Sequence, residues 1–440
     1  MIRRIRVPKI FFGWYTVLAT CLLCIWGTGY SSVGFSALFK PISTELGLSR
    51  AVTSVARSIG LFEAGFSAPI VGWLNDRFGP KVTIFFGTAL IGLGLVLMSS
   101  VNSLWAFYVV WGVVVYSGVH IALTISVDKA ISNWFIRRRG LAQSFRWVSM
   151  VLSTILVVPL ISWLIISVDW RMTCVIGGVV IWLFGLPLVW FFIKKERPEY
   201  YGLLPDGAST EAELVADKSR IVAKGTEYAA RFQEVEFTLR QAIRTLAFWQ
   251  LTIGYISYAV TISVVFTHCI PLITDMGYSP IRAAGVMSMA GAIGIPFRFA
   301  SGFLADRLKK EHLRFLMGIS FLIMPAGIIA FSLHQTMATV YALLILFYIG
   351  QGPGAVLMSV IRARYFGRKG LGSIQGASLM ITMPFNVIAP IYAGWVYDTT
   401  GSYLDAFRLF AGLLVFGALL IFCARPPKPP AEVTDIRKFL

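Results

Sequence analysis

Charge is what this sequence has least of. Only 14% of its residues are Asp, Glu, Lys or Arg, against roughly 25% in soluble domains. Acid is scarcest: 21 acidic residues stand against 39 basic ones, a formal charge of +18. So few charges cannot cover the surface of 440 residues folded in water, which excludes a set of soluble domains. Cysteine is rare as well. All five, Cys21, Cys24, Cys174, Cys269 and Cys423, sit in apolar runs. That excludes a disulfide scaffold and makes the spacing of Cys21 and Cys24 a matter of packing rather than redox chemistry. No phosphate-cradling loop, metal-ligand constellation or nucleophile triad occurs, so neither an ATP-driven pump nor an enzyme is expected, and no cofactor, metal site or catalytic residue. The basic residues are dispersed, so no nucleic acid partner is expected. The apolar run after the basic Met1–Ile10 has no small-residue cleavage site, so no cleaved leader is expected either.

What is present in excess is hydrocarbon. Apolar residues make up 57% of the chain, and charge-free stretches such as 82–101 and 411–423 are long enough to cross a bilayer, which takes about 20 residues. Such stretches are expected at 12–38, 51–74, 82–101, 104–127, 141–167, 172–193, 247–273, 281–304, 313–333, 337–361, 371–396 and 404–423. The fold class is therefore an all-α membrane protein of twelve transmembrane helices. Lys and Arg concentrate in alternate loops, among them Arg77, Lys81, Arg137, Arg138, Arg139, Lys309, Lys310, Arg362, Arg364, Arg368 and Lys369. Basic loops stay in the cytoplasm, so both termini are expected there, in a cell's inner (plasma) membrane. The polar stretch 194–246 divides six spans from six. It reads as a cytoplasmic linker without a fold of its own, closing on a surface helix whose greasy side is Phe237, Leu239, Ile243 and Leu246. The expected organisation is a six-helix bundle over 1–193, that linker, a second bundle over 247–424 and a cytoplasmic tail over 425–440, acting as a monomer.

The two bundles carry the same marks. Gly72-Trp73-Leu74-Asn75-Asp76-Arg77 follows the second span, and Gly302-Phe303-Leu304-Ala305-Asp306-Arg307 follows the eighth. Trp134-Phe135 through Arg139-Gly140-Leu141 follows the fourth, and Tyr365-Phe366 through Lys369-Gly370-Leu371 the tenth, at nearly the same offset. Two motifs repeated at one offset imply duplicated parallel halves, an arrangement that places a substrate site between them near the midplane.

On these motifs the chain resembles the major facilitator superfamily from Phe12 to about Cys423. The segment Gly72–Lys81 (GWLNDRFGPK) is similar to the superfamily's loop between helices two and three. Within it, Asn133–Ser144 (NWFIRRRGLAQS), Arg197–Gly207 (RPEYYGLLPDG) and Tyr397–Phe407 (YDTTGSYLDAF) resemble the monocarboxylate transporter and oxalate/formate antiporter group. Helix five lacks the Gly-Pro run usual in drug/proton antiporters, and Lys194–Gly202 lacks the run that sugar porters carry. Helix one has no Lys, unlike the animal monocarboxylate carriers. Helix eight has an Arg like the oxalate/formate exchanger, but helix eleven has no matching Lys, which sets a doubly charged substrate in doubt. The resemblance implies two pseudo-symmetric six-helix bundles and alternating access. It also implies a latch in which Gly72, Asp76, Arg77, Asp306 and Arg307 meet neighbouring basic loops, with Arg139 and Lys369 as partners.

Ionisable side chains inside a membrane cost roughly 2.5–3.5 kcal/mol each on insertion scales, so each needs a reason. Arg57, Glu63, Arg146 and Arg298 are the clear cases. Three arginines against one glutamate leave an excess of positive charge, which a small organic anion would neutralise, and a guanidinium suits a carboxylate through two parallel hydrogen bonds. Arg57 and Arg146 are either functional or snorkel to headgroups. Arg298 lies eight residues, about 12 Å at the helical rise, inside Asp306, too deep to snorkel. Glu63 either titrates during transport or neutralises an arginine; with Arg57 it is the coupling candidate. His120 and His268 are either structural or substrate and proton contacts, and Tyr30, Tyr116 and Tyr348 either shape a pocket or pack. The expected function is secondary transport of a monocarboxylate-like anion, with protons or by exchange. The alternative is proton-driven export of an amphipathic compound or drug.

Overall fold

A computed structural model of the chain describes residues 10–48, 50–208, 218–231 and 234–429. Twelve long helices carry the fold: α1 Phe12–Glu45, α2 Arg50–Phe78, α3 Pro80–Ser100, α4 Leu104–Trp134, α5 Arg139–Val168 and α6 Trp170–Phe192. The second set is α7 Leu246–Asp275, α8 Pro280–Arg307, α9 Lys310–Leu333, α10 Met337–Phe366, α11 Leu371–Thr400 and α12 Leu404–Cys423. Among the described residues there is no strand. Eleven of the helices are long and apolar enough to cross a membrane. The other, α2, has 29 residues, enough for the distance, but Glu63, Ser67, Asn75 and several glycines make it more polar.

Local chemistry sets the helix ends. Gly79, at φ 82°, turns the chain out of α2, and Pro80 opens α3 where a missing N–H costs nothing. Asp169 caps α6 by accepting the Met172 N–H at 2.9 Å, and Thr336 and Thr339 form a reciprocal cap at the start of α10. In α4 the helix breaks at Thr124 (φ −104°, ψ −99°). That break frees the Leu123 carbonyl for a side chain of α5.

Buried apolar side chains fall into two clusters, one running from Val17 to Ile193 and one from Phe237 to Ala424. Large apolar side chains such as Phe66, Ile166 and Trp395 remain on the outside, as bilayer-facing surface requires. Where α2 crosses α11 and α5 crosses α8, the helices touch backbone to backbone. A Cβ on Gly72 would lie 2.3 Å from the Gly372 carbonyl oxygen, and one on Gly302 would lie 2.4 Å from that of Gly140. Small residues at such crossings are what lets membrane helices approach.

Several boundaries differ from the sequence expectation. The first helix continues through Lys40 to Glu45. The tenth runs to Phe366, so Arg362 and Arg364 belong to helix rather than loop, and Arg362 is buried. Helical hydrogen bonding does not stop where hydrocarbon does, so charge in the sequence marks the membrane edge and not the helix end. The described part of the segment after α6 also holds regular structure. It contains a helix, Lys218–Arg231, while the surface helix expected near its end is a single turn, Leu239–Ala242. Phe237 instead packs edge-on against Phe366.

Candidate substrate site between the bundles

The repeated acids sit at the end of the molecule that carries the linker. Asp306, from α8, accepts the N–H groups of Gly140 and Leu141 at 2.6 and 2.9 Å, at the first turn of α5. Asp76, from α2, accepts those of Gly372 and Ser373 at 3.0 and 2.8 Å, at the first turn of α11. Each acid thus caps a helix of the opposite bundle, where unpaired N–H groups and the helix dipole favour a negative charge. Asp76 also takes the Lys129 ammonium.

The expected partners lie elsewhere. Arg139 donates to Glu234 at 2.8 Å, and the Lys369 N–H donates to Glu236 at 2.6 Å. Arg77 lies over Trp73 and Arg307 over Phe303. Glu234 also takes Arg368 at 3.0 Å, and Arg368 reaches Glu199 at 3.2 Å and the Asn133 carbonyl at 2.9 Å. Linker acids therefore join the start of α5 to the loop before α11. Burial pushes the Glu234 carboxyl up, but the charges of Arg368 and Arg139 outweigh it and hold it below the ordinary value. Asp206 receives the N–H groups of Ile136, Arg137 and Arg138. The loop before α11 also meets α4 directly at this face, through Arg368 on the Asn133 carbonyl and Lys129 on the Lys369 carbonyl.

Deeper in, Arg298 is 4% exposed. Its Nη2 donates to the Gln351 side-chain carbonyl at 2.6 Å, while Nε and Nη1 are buried without a hydrogen-bond partner. Among the described residues no carboxylate lies within ion-pair distance of it. Glycines make its room: a Cβ on Gly352 would lie 2.9 Å from its Cγ and one on Gly294 2.8 Å from Nη1. Tyr258 holds the Gln351 backbone through a 2.6 Å hydrogen bond to its carbonyl, and Tyr348 stands beside the guanidinium. The Arg298 carbonyl accepts from Ser144 of α5 at 2.8 Å, which ties the site to the opposite bundle.

Arg146 is buried too, but it is neither free nor snorkelling. It donates to the Leu123 carbonyl at 3.0 Å, stacks over Trp147 and stands 3.5 Å from Asp128. Glu63 has the hydroxyls of Ser117 and Ser67 beside it, one oxygen without a partner, and no ion pair among the described residues. The His120 Nε2 is buried and unpartnered. His268 meets the Pro390 carbonyl at 2.9 Å and packs on Tyr403. Tyr30 is not at the site: it is fully buried in the first bundle against Trp26 and Gly177. Tyr116 is buried against Gly60. The Arg57 side chain lies outside the described residues. Sequence reasoning gave no site role to Gln351, Arg362, Glu234 or Arg368. Only for Arg362 does the true helix boundary matter; Gln351 lies within the expected tenth span, and Glu234 and Arg368 lie in loops whose packing the sequence does not show.

The family model described as Major Facilitator Superfamily matches residues 21–383. The chain belongs to the major facilitator superfamily. It is accordingly a multi-pass membrane transporter of small molecules, not an enzyme. It is 25% identical to monocarboxylate transporter 12 of Mus musculus, across 94% of this chain and 85% of that one. It is 26% identical to monocarboxylate transporter 13 of Bos taurus, across 99% and 96%. An uncharacterized MFS-type transporter of Bacillus subtilis, YcxA, is 21% identical across 89% and 90%. Among solved structures, the proton:xylose symporter XylE superposes with a TM-score of 0.71 at 16% identity, over 94% and 95% of the two chains. The human organic anion transporter MFSD10 does so at 0.70 and 12%, over 93% and 99%. At such identities these two structures speak for the fold alone.

Proposed function

We propose that the protein carries a small organic monocarboxylate across a cell's inner (plasma) membrane by alternating access, with a proton or by exchange. The observation that carries this reading is Arg298: a buried guanidinium between the bundles with two unpartnered donors and, among the described residues, no acid to neutralise it. An uncompensated buried cation is costly, and a carboxylate offers both the charge and the planar pair of acceptors that a guanidinium fork matches. The names of the monocarboxylate transporter relatives add to it. In a panel of mono- and dicarboxylates, the purified protein should melt several degrees higher with a monocarboxylate at saturating concentration, since binding to the native state alone stabilises it. The same acid should exchange across proteoliposomes. A panel without any such shift, in a protein that moves labelled amphipathic drugs instead, would reverse the assignment.

Glu63 is the coupling group in this reading, because an intramembrane carboxylate with no cationic partner among the described residues is free to exchange a proton. Glu63→Gln should remove the stimulation of uptake by a pH gradient while sparing counterflow of substrate against substrate. Loss of both would make Glu63 a structural residue.

The basic loops put the linker, both termini and the closed face in the cytoplasm. Reporter fusions after Val101 and Leu333 should then read as external and those at Gly207 as cytoplasmic. A cytoplasmic reading after Val101 would invert the topology.

A further inference from the structure

Between Arg298 and the closed face lies a polar layer that no loop motif accounts for. The first bundle contributes Asp128 of α4 and Arg146 of α5, 3.5 Å apart. The second contributes Ser359 and Arg362 of α10 and Gln375 and Ser378 of α11, all six being at most 8% exposed. Asp128 Oδ2 accepts from Ser359 at 3.2 Å and from Gln375 at 3.3 Å, and the Trp147 indole N–H donates to Ser359 at 3.3 Å. Arg362 donates to Ser378 at 2.7 Å and lies over the Tyr255 ring.

Two features of this layer point to a missing anion. Two guanidinium groups stand with one carboxylate: Asp128 lies within ion-pair distance of Arg146, Lys129 is taken by Asp76, and among the described residues Arg362 has no ion pair. A donor is also left over: Nε of Arg146 is buried with no hydrogen-bond partner. Native interiors leave few such atoms.

The layer's place in the interface gives the imbalance a use. A ligand at Arg298 reaches the linker face only after the bundles separate here. Asp128 and Arg146 then leave together on one side. Arg362 stays on the other, four residues from the end of α10, without the nearby acid and with only a hydroxyl and a ring around its charge. We propose that Arg362, with Ser378 and Gln375 beside it, is a second carboxylate station between Arg298 and the linker face. It fills when Asp128 withdraws with the opposite bundle and empties when Asp128 returns. The proposal rests on the carboxylate reading above.

The test uses the full-length protein with labelled pyruvate and benzoate, one aliphatic and one aromatic monocarboxylate. Arg362→Gln should bind the acid that the parent binds within about threefold of parental affinity, because Arg298 is untouched. Its exchange across proteoliposomes should fall tenfold or more, and Arg362→Lys should recover part of that loss. If Arg362→Gln fails to fold, Ser378→Ala carries the test, with exchange expected to fall at least threefold at unchanged binding. Parental exchange in the folded variant overturns the second station, and so does a loss of binding equal to that of an Arg298 variant, which would mean one site only. A parent that binds neither acid overturns the carboxylate reading and this proposal with it, whereas failure in the Arg362 variants alone leaves that reading standing.

Discussion

Arg298→Gln should abolish carboxylate binding and leave the fold intact. Gln is shorter and keeps some hydrogen-bonding capacity but loses the charge and the fork. Truncating one partner of a buried, hydrogen-bonded charge pair costs about 2–5 kcal/mol, which is roughly thirtyfold to several thousandfold in affinity. The free protein loses little in exchange, because among the described residues the guanidinium of Arg298 makes one hydrogen bond, to Gln351. Relieving an uncompensated buried cation should even raise the melting temperature slightly. Arg298→Lys should be intermediate: the charge remains, but an ammonium cannot hold a carboxylate through two parallel bonds. The measurements are the melting temperature without ligand and the shift produced by the panel acid. A folded Arg298→Gln protein that binds this acid within about threefold of the parent would remove the anion site and favour export of an amphipathic compound.

The architecture was legible in the sequence because it rests on one-dimensional signals. Apolar runs of bilayer length, basic loops at alternate turns and two motifs repeated at one offset can all be counted without knowing which helix touches which. Arg298 was legible for a similar reason, its depth being a distance along one helix from Asp306. What stayed hidden is pairing. Arg146 looked like an excess cation because its partners, Asp128 and the Leu123 carbonyl, belong to another helix, and the carbonyl is free only where α4 breaks at Thr124. Arg362 looked like a loop charge because its helix outlasts the apolar run. Tyr30 looked like a pocket residue, but which face of a helix meets the cavity depends on the neighbours, and it turns to Gly177 in the core of its own bundle. The acids of the latch were visible as a repeat. Their partners were not, since a backbone N–H at a helix start is common to every sequence.

Glu234→Gln and Gly302→Ala should both shift the protein toward a state open at the linker face, by different physics. Glu234 is the carboxylate that touches both Arg139 and Arg368, at 2.8 and 3.0 Å, with all three side chains nearly inaccessible. Breaking a buried pair from one side costs about 3–5 kcal/mol, because charge is left unmatched. Only the share of that cost paid in the closed state moves the equilibrium, and a tenfold to hundredfold shift needs about 1.4–2.8 kcal/mol. The sign with pH follows from the depressed carboxyl. The contact contributes fully above the group's ordinary value of 4.5 and is lost only as pH falls through the lower value it has when folded, so the clasp is intact near neutrality and loosens below that ordinary value. Gly302→Ala leaves every charge in place and adds one methyl. Its Cβ would stand 2.0 Å from the Ser144 Oγ and 2.4 Å from the Gly140 carbonyl oxygen, a clash with backbone that exists only while α5 and α8 touch. Spin labels on the exposed Arg137 and Lys309, in a background without the native cysteines, report the separation directly. The parent should give mainly the short distance at pH 7, and each variant should add a longer one that grows at the expense of the first. Unchanged distance distributions in both variants would mean that neither the clasp nor the glycine crossing governs closure.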